Sequence, residues 1–331
     1  MMMKKRRHLL ARAVAVATAT LLPCAVLAQA TPAGWPNGPI RIIVPFPAGG
    51  ASDQIGRLIG QKISEELKVP VLIDNRSGAN GSVGATQFAK AAPDGYTLMV
   101  ASIGVYAINT GLYKNLAYDP LKDFAPISVL VSTPNVLVVP AASPFRTAQD
   151  IAAFVKKNPG KLSYASSGAG SSDHLTAELF KKTVGGFAVH IPYRGGAPAM
   201  QDIMAGQADF MFSNLGPAMP FIKAGKMRAL MVTSPRPSAQ LPDVPAGVAV
   251  GIPIDVTSWQ ALAAPAGTPP AILQRLYQIS AKAMNSPDVK ERMAAQAFDI
   301  VADTPQEFSD FLKKEVTRWK TAVKESGAAL D

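Results

Sequence analysis

One local design occurs twice in this chain, 120 residues apart. IIVPFPAGGASDQIGRLIGQK at 42–62 and KLSYASSGAGSSDHLTAELFK at 161–181 both read as strand, glycine-rich turn, Ser-Asp pair and amphipathic helix. In the alignment Gly50 matches Gly170, Ser52 matches Ser172 and Asp53 matches Asp173. A strand that passes through glycine straight into a helix is the unit of parallel α/β folds. The rest of the chain agrees. Short β-branched runs (Ile40–Val44, Ile127–Val131, Val136–Val139, Met227–Val232) alternate with helical stripes such as Ile55, Leu58, Ile59, Ile63 and Leu67. The prediction is an α/β fold with largely parallel sheets flanked by helices, closed by a long helix from Pro305 to about Ser326. A strand-like SWQALAAP at 258–265 precedes the helix-rich tail. That order suits a chain that leaves one domain, builds a second and returns; two domains in tandem suit the composition as well.

In such folds, loops at the carboxyl ends of strands hold ligands. Both repeats end at a helix N-terminus, where free N–H groups and the helix dipole favour an anion. Simple helix capping accounts for the Ser-Asp pairs, but not for the glycines before them, which allow close backbone approach. The candidate ligand-binding residues are therefore Phe46, Pro47, Ala48, Gly49, Gly50, Ser52 and Asp53 in the first loop. In the second they are Ser166, Ser167, Gly168, Gly170, Ser171, Ser172 and His174. Neither loop contains Lys or Arg, and no G-x-x-x-x-G-K-[ST] occurs, so a phosphate is a poor guest. GAGSSD has Asp173 where a dinucleotide fingerprint needs its third glycine. A carboxylate held by N–H and O–H donors fits both loops, and no cofactor is expected. Outside them, Ser102 could donate to a ligand or lie in a plain turn. Arg194 in HIPYRGGAPAM could clamp a second carboxylate or face solvent. Asp209 could accept from a ligand or end a strand. DNRSGANGSVG at 74–84 reads as a tight turn capped by Ser82.

The first 30 residues stand apart from the fold. A basic head from Lys4 to Arg7, an apolar stretch and Ala28-Gln29-Ala30 make a secretory signal peptide cleaved near Ala30, which places the protein in the periplasm. Pro23 argues against lipid attachment at Cys24, the one cysteine. Removal of that segment takes five of the 33 basic residues and no acidic ones, leaving 28 against 23 and a net charge of +5. No basic cluster is left for nucleic acid, and no thiol for a disulfide or a nucleophile.

Catalysis has few groups to use. Only His174 and His190 follow the leader, and there is no HExxH and no G-x-S-x-G. A periplasmic serine hydrolase built on Ser172 and His174 is the alternative. Residues two apart on a helix point away from each other, which disfavours it.

The motifs WPNGPIRIIVPFPAGGASD, IDNRSGANGSVGA, PDGYTLMVAS, YASSGAGSSDHL, HIPYRGGAPAMQDIMAGQADFMF, AGKMRALMVTS, LPDVP and WQALAAPAGTPP run in order through the chain. Together they resemble the Bug-type extracytoplasmic receptors of the tripartite tricarboxylate transporter family. The resemblance implies a two-domain periplasmic-binding-protein fold (type II-like) with two crossover segments and a ligand cleft between lobes. On that pattern residues 31–136 and 255–331 form the first lobe and 137–254 the second. It further implies a monomeric, non-enzymatic protein that holds a small carboxylate between the two loops. That ligand would pass to membrane permease subunits or be reported to a sensor kinase. Val105-Tyr106 and Ser213-Asn214 depart from the family's usual residues at positions expected near the cleft.

Overall fold

A computed structural model describes residues 34–326 and 328. The predicted leader and its cleavage site lie outside the described residues. Ten strands appear among them: β1 (Ile40–Val44), β2 (Val71–Asn75), β3 (Thr97–Ser102), β4 (Phe124–Pro140), β5 (Ser163–Ser166), β6 (Val189–Pro192), β7 (Phe210–Asn214), β8 (Met227–Val232), β9 (Thr257–Pro265) and β10 (Asp299–Ile300). The helices are α1 (Ala51–Leu67), α2 (Ser82–Ala89), α3 (Asn109–Leu112), α4 (Ala148–Lys157), α5 (Ser172–Val184), α6 (Gly196–Met204), α7 (Leu215–Lys223), α8 (Pro270–Met284), α9 (Pro287–Ala295) and α10 (Pro305–Ser326).

The strands follow the order β2-β1-β3-β9-β4-β7-β5-β6, with β8 and β10 also paired to β4. The sheet is mixed. β1 runs parallel to β2 and β3, and β5 runs parallel to β6 and β7. Between these groups β9 and β4 are antiparallel to every strand they touch. The parallel reading holds at the flanks, where each strand is followed by a crossover helix. It does not hold at the centre, where the returning strand β9 runs the other way.

Residues predicted as two strands form the single 17-residue β4. Phe124–Pro134 pairs with β9, and Asn135–Pro140 pairs with β7 and β8. Pro134 sits opposite Thr257, the first residue of β9, so its missing N–H falls where one ladder ends and the next begins. Near-continuous burial of Ile127–Val131 and Val136–Val139 explains why this strand reads as an apolar run and not as an alternation.

Helix α1 lays Ile55, Leu58, Ile59 and Ile63 on Ile42, Val44, Leu98, Val100 and Leu262. The opposite face of those strands carries Met99, Ala101, Trp259 and Ala261, covered by Phe308, Leu312, Val316 and Trp319 of α10. Each large side chain buried there contributes about 1.5–3 kcal/mol before entropy is set against it. The C-terminal helix is thus a structural part of the first group of strands.

Candidate functional site

The first loop is braced from within. Gly49 has φ of +85°, a conformation few side chains tolerate. Gly50 forms the N-cap of α1 in an extended conformation, and no side chain caps the helix. The first turn's amides therefore have no side-chain capping partner among the described residues. Asp53, 3% exposed, accepts from Gly49 N at 2.9 Å, Arg57 Nε at 3.0 Å and Asn75 Nδ2 at 2.9 Å. Burial alone would raise its carboxyl, but the bonds from Arg57, Gly49 and Asn75 together hold it below the ordinary value. Asp53 is thus a brace whose charge is already matched. Ser52 Oγ donates to Gln260 Oε1 at 2.6 Å. Phe46 O accepts from Asn75 Nδ2, which fixes the exit from β1.

The second loop repeats the brace with different atoms. Asp173 accepts from Ser167 N at 2.7 Å and Ser167 Oγ at 2.8 Å. Ser171, not Ser172, is the cap: its Oγ accepts from His174 N and donates to Gly168 O. Ser166 Oγ accepts from Gly168 N at 3.2 Å and lies 2.7 Å from His190 Nε2. Ser172 Oγ accepts from Asn214 Nδ2 at 3.2 Å, which leaves its own O–H able to donate to a ligand. Among the loop's serines it is the one whose hydroxyl proton has no acceptor within the described residues.

The loops adjoin. A Cβ placed on Gly195 would lie 3.6 Å from Pro47 Cγ of the first loop, and Gly195 N donates to Ser167 O of the second. On the other side Asn80 Nδ2 donates to Gly170 O at 2.6 Å. Ser102, at the end of β3, lies opposite Gln260 in β9. Gln260 is 1% exposed, its Oε1 is taken by Ser52, and its Nε2 meets no acceptor among the described residues. Ala48 and Pro47 are exposed at the loop tip, and Phe46 is half-buried behind them.

Asp209 is placed away from the loops, whereas Arg194 adjoins them through Tyr193 and Gly195, which bond to Ser166 O and Ser167 O. Asp209 precedes β7 and accepts from Ser163 N at 2.7 Å and Ser163 Oγ at 3.0 Å. That is the amino end of β5 and β7, the edge opposite Ser166 and Asn214, where Asp209 braces the strand starts. Arg194 is exposed in the turn before α6, with its neighbour Tyr193 bonded to Asp202 at 2.6 Å. The departure at Tyr106 is also internal. Its ring is fully buried, stacks on Trp259 at 5.5 Å and donates to Ala261 O at 3.2 Å. Val105 and Ser213 are buried as well, whereas Asn214 reaches Ser172 and Asn135.

Asn214, noted in the sequence only as a departure near the cleft, joins this assembly together with two residues not named as site candidates, Asn80 and Gln260. Of these two, only the GANG turn around Asn80 stood out, and as a turn. The pair named for the hydrolase alternative is not formed: no hydrogen bond joins Ser172 to His174 among the described residues. His174 Nδ1 accepts from Gly170 N at 3.0 Å, and Ser166, which does contact a histidine, is fully buried.

The two histidines lie face to face, ring centres 4.2 Å apart, with Tyr164 stacked 4.8 Å beyond His190. Burial first, then the neighbouring His174, pushes His190 down to about 4; burial also lowers His174. The unfolded chain binds a proton near pH 6.5 that folded His190 refuses until about pH 4, so stability falls as pH drops through that window. Asp303 acts in the opposite sense. Burial raises it to about 6, so its contribution declines as pH rises. Comparison of the wild type with His190→Gln removes the Asp303 effect. From pH 7 to pH 4 the wild type should lose at most about 3 kcal/mol more than the variant in urea melts. Equal losses would mean that His190 is not held neutral.

Comparison with known proteins places the fold among solute-binding receptors. Residues 55–328 match the tripartite tricarboxylate transporter family receptor, TctC. The chain is 35% identical to the protein BugT of Bordetella pertussis over 298 residues, 89% of this chain and 91% of that one. A solved structure of R. palustris Rpa4515 with adipate superposes with a TM-score of 0.85 at 32% identity, covering 88% of this chain and 98% of the other. MatC (Rpa3494) from Rhodopseudomonas palustris with bound malate gives a TM-score of 0.83 at 30% identity, over 87% and 100%. The chain belongs to the tripartite tricarboxylate transporter receptor family, whose receptors are periplasmic.

Proposed function

We propose that this receptor captures a small dicarboxylate between the two braced loops and presents it to membrane permease subunits or to a sensor kinase. The observation that carries the reading is the start of α1. It opens on glycine with no side-chain cap, while its one nearby acid, Asp53, is turned inward and neutralised by Arg57. Such a start offers N–H donors and no cation, which suits a carboxylate better than a phosphate. Ser172 supplies a free hydroxyl from the second loop. Ser102 and Gln260 add uncharged polar groups beside the first. Relatives holding adipate and malate support the ligand class. In this reading residues 1–30 direct export, and the lobes 31–136 with 255–331 and 137–254 close by bending where β4 changes partners.

A thermal-shift panel of malate, adipate, shorter and longer dicarboxylates, acetate and inorganic phosphate tests the proposal. At least one dicarboxylate should raise the melting temperature by a few degrees, as about 2.7 kcal/mol of linkage at a hundredfold excess over Kd requires. Phosphate should not. Ser172→Ala should weaken that acid about tenfold, the loss of one charge-assisted donor. Stabilisation by phosphate alone, or by none of the acids, would overturn the ligand class.

A further inference from the structure

The turn between β2 and α2 has a backbone that its sequence does not announce. Gly78, Ala79, Asn80 and Gly81 all have positive φ, at +139°, +45°, +49° and +82°. Two of the four carry side chains that disfavour this region, so the surrounding fold must hold them there. Asn109 does so from α3. Its Nδ2 donates to Asn80 O at 3.1 Å and to Tyr118 Oη at 3.0 Å, and Tyr118 in turn donates to Val105 O at 2.8 Å. Held this way, the Asn80 carboxamide is directed away from its own strands. Its Nδ2 donates to Gly170 O at 2.6 Å and to Asn109 Oδ1 at 2.9 Å.

Gly170 lies 90 residues further on, after the chain has crossed along β4 to its second group of strands. Its N–H is already committed to His174 Nδ1. Both peptide groups flanking Gly170 are therefore held, one from within its own loop and one from across the molecule. We infer that Asn80 is a positioning residue of the ligand site, a latch that grips the Gly170 carbonyl when the two loops close and so orients the segment presenting Ser172. The inference rests on the receptor reading above. A neutral amide on a backbone carbonyl suits a latch that must also release, because no charge is desolvated when it forms.

The decisive variants are Asn80→Gly and Asn80→Asp. Glycine relieves the left-handed turn and aspartate tolerates it, but neither can donate to Gly170 O. A residue that merely fills the turn would leave loop closure unchanged in both variants. Cleavage of the leader leaves no native cysteine, so spin labels on Gln61→Cys in α1 and Lys157→Cys in α4 report the separation by double electron–electron resonance. In unliganded protein both variants should lower the ratio of short to long distances about three- to tenfold, the worth of one net hydrogen bond. Asn80→Asp should lower it most, since its carboxylate faces the carbonyl. Any acid of the panel that stabilises the wild type should dissociate faster from both variants. Distance distributions that match the wild type in both variants overturn the inference. Failure of every acid to stabilise the wild type overturns the dicarboxylate reading, while the unliganded distances still decide Asn80.

Discussion

Gly170→Val is expected to abolish the response to any acid that stabilises the wild-type protein and to destabilise the fold by about 2–5 kcal/mol. Gly170 has φ of +82°, where a β-branched residue is an outlier. A Cβ at this position overlaps Leu112 Cδ2 and comes within 3.0 Å of Asn80 Nδ2. Leu112 is 1% exposed in the large core cluster, so it has little room to rotate aside. The loop must move instead, and with it the Gly170–His174 and Gly170–Asn80 bonds that set the direction of α5. Gly170→Ala meets the same neighbours with less bulk and should show an intermediate loss. Thermal-shift titration with adipate and malate, alongside urea melts, measures both effects. A valine variant that binds like the wild type would remove the second loop from the site.

Glu315→Leu should cost about 3–5 kcal/mol of stability without touching the ligand loops. Glu315 is 5% exposed, and its Oε2 accepts from the indole Nε1 of both Trp259 and Trp319 at 3.1 Å. Leucine fills similar space but leaves two buried N–H groups without an acceptor, each costing about 1–3 kcal/mol. Arg318, the charge partner at 3.2 Å, is half exposed and returns to water at little cost. Glu315→Gln keeps an acceptor oxygen and should lose about 1–2 kcal/mol. Urea denaturation of the two variants separates the explanations. Equal losses would mean that the indole bonds are not what holds α10 against β9.

Much of the secondary structure was legible because it rests on local patterns. Ile40–Val44 and Met227–Val232 are strands as predicted, and the last helix spans Pro305–Ser326. The stripe of Ile55, Leu58, Ile59 and Ile63 faces the core. The sheet was less legible. Two apolar runs separated by STPN merge into β4, because a proline can occupy the point where one ladder hands over to another. The antiparallel course of β9 depends on partners more than a hundred residues away, which no local period encodes.

The candidate site divides along the same line. Glycine, serine and aspartate at 49–53 and 168–173 determine by themselves that two helices begin at sharply bent loops, since those residues suit turns and helix starts wherever they fall. The transporter-receptor family follows from such local motifs occurring in order. Only the tertiary structure decides what each side chain does. Asp53 and Asp173 turn inward because Gly49, Asn75 and Ser167 donate to them there. Tyr106 enters the core because Trp259 offers it a face. Asn80, Asn214 and Gln260 join the loops only after folding brings Gly170, Ser172 and Ser52 to them. A hydrogen bond requires donor and acceptor within about 3 Å, and across 42 to 208 residues of chain that distance is set by the packing of strands and helices alone.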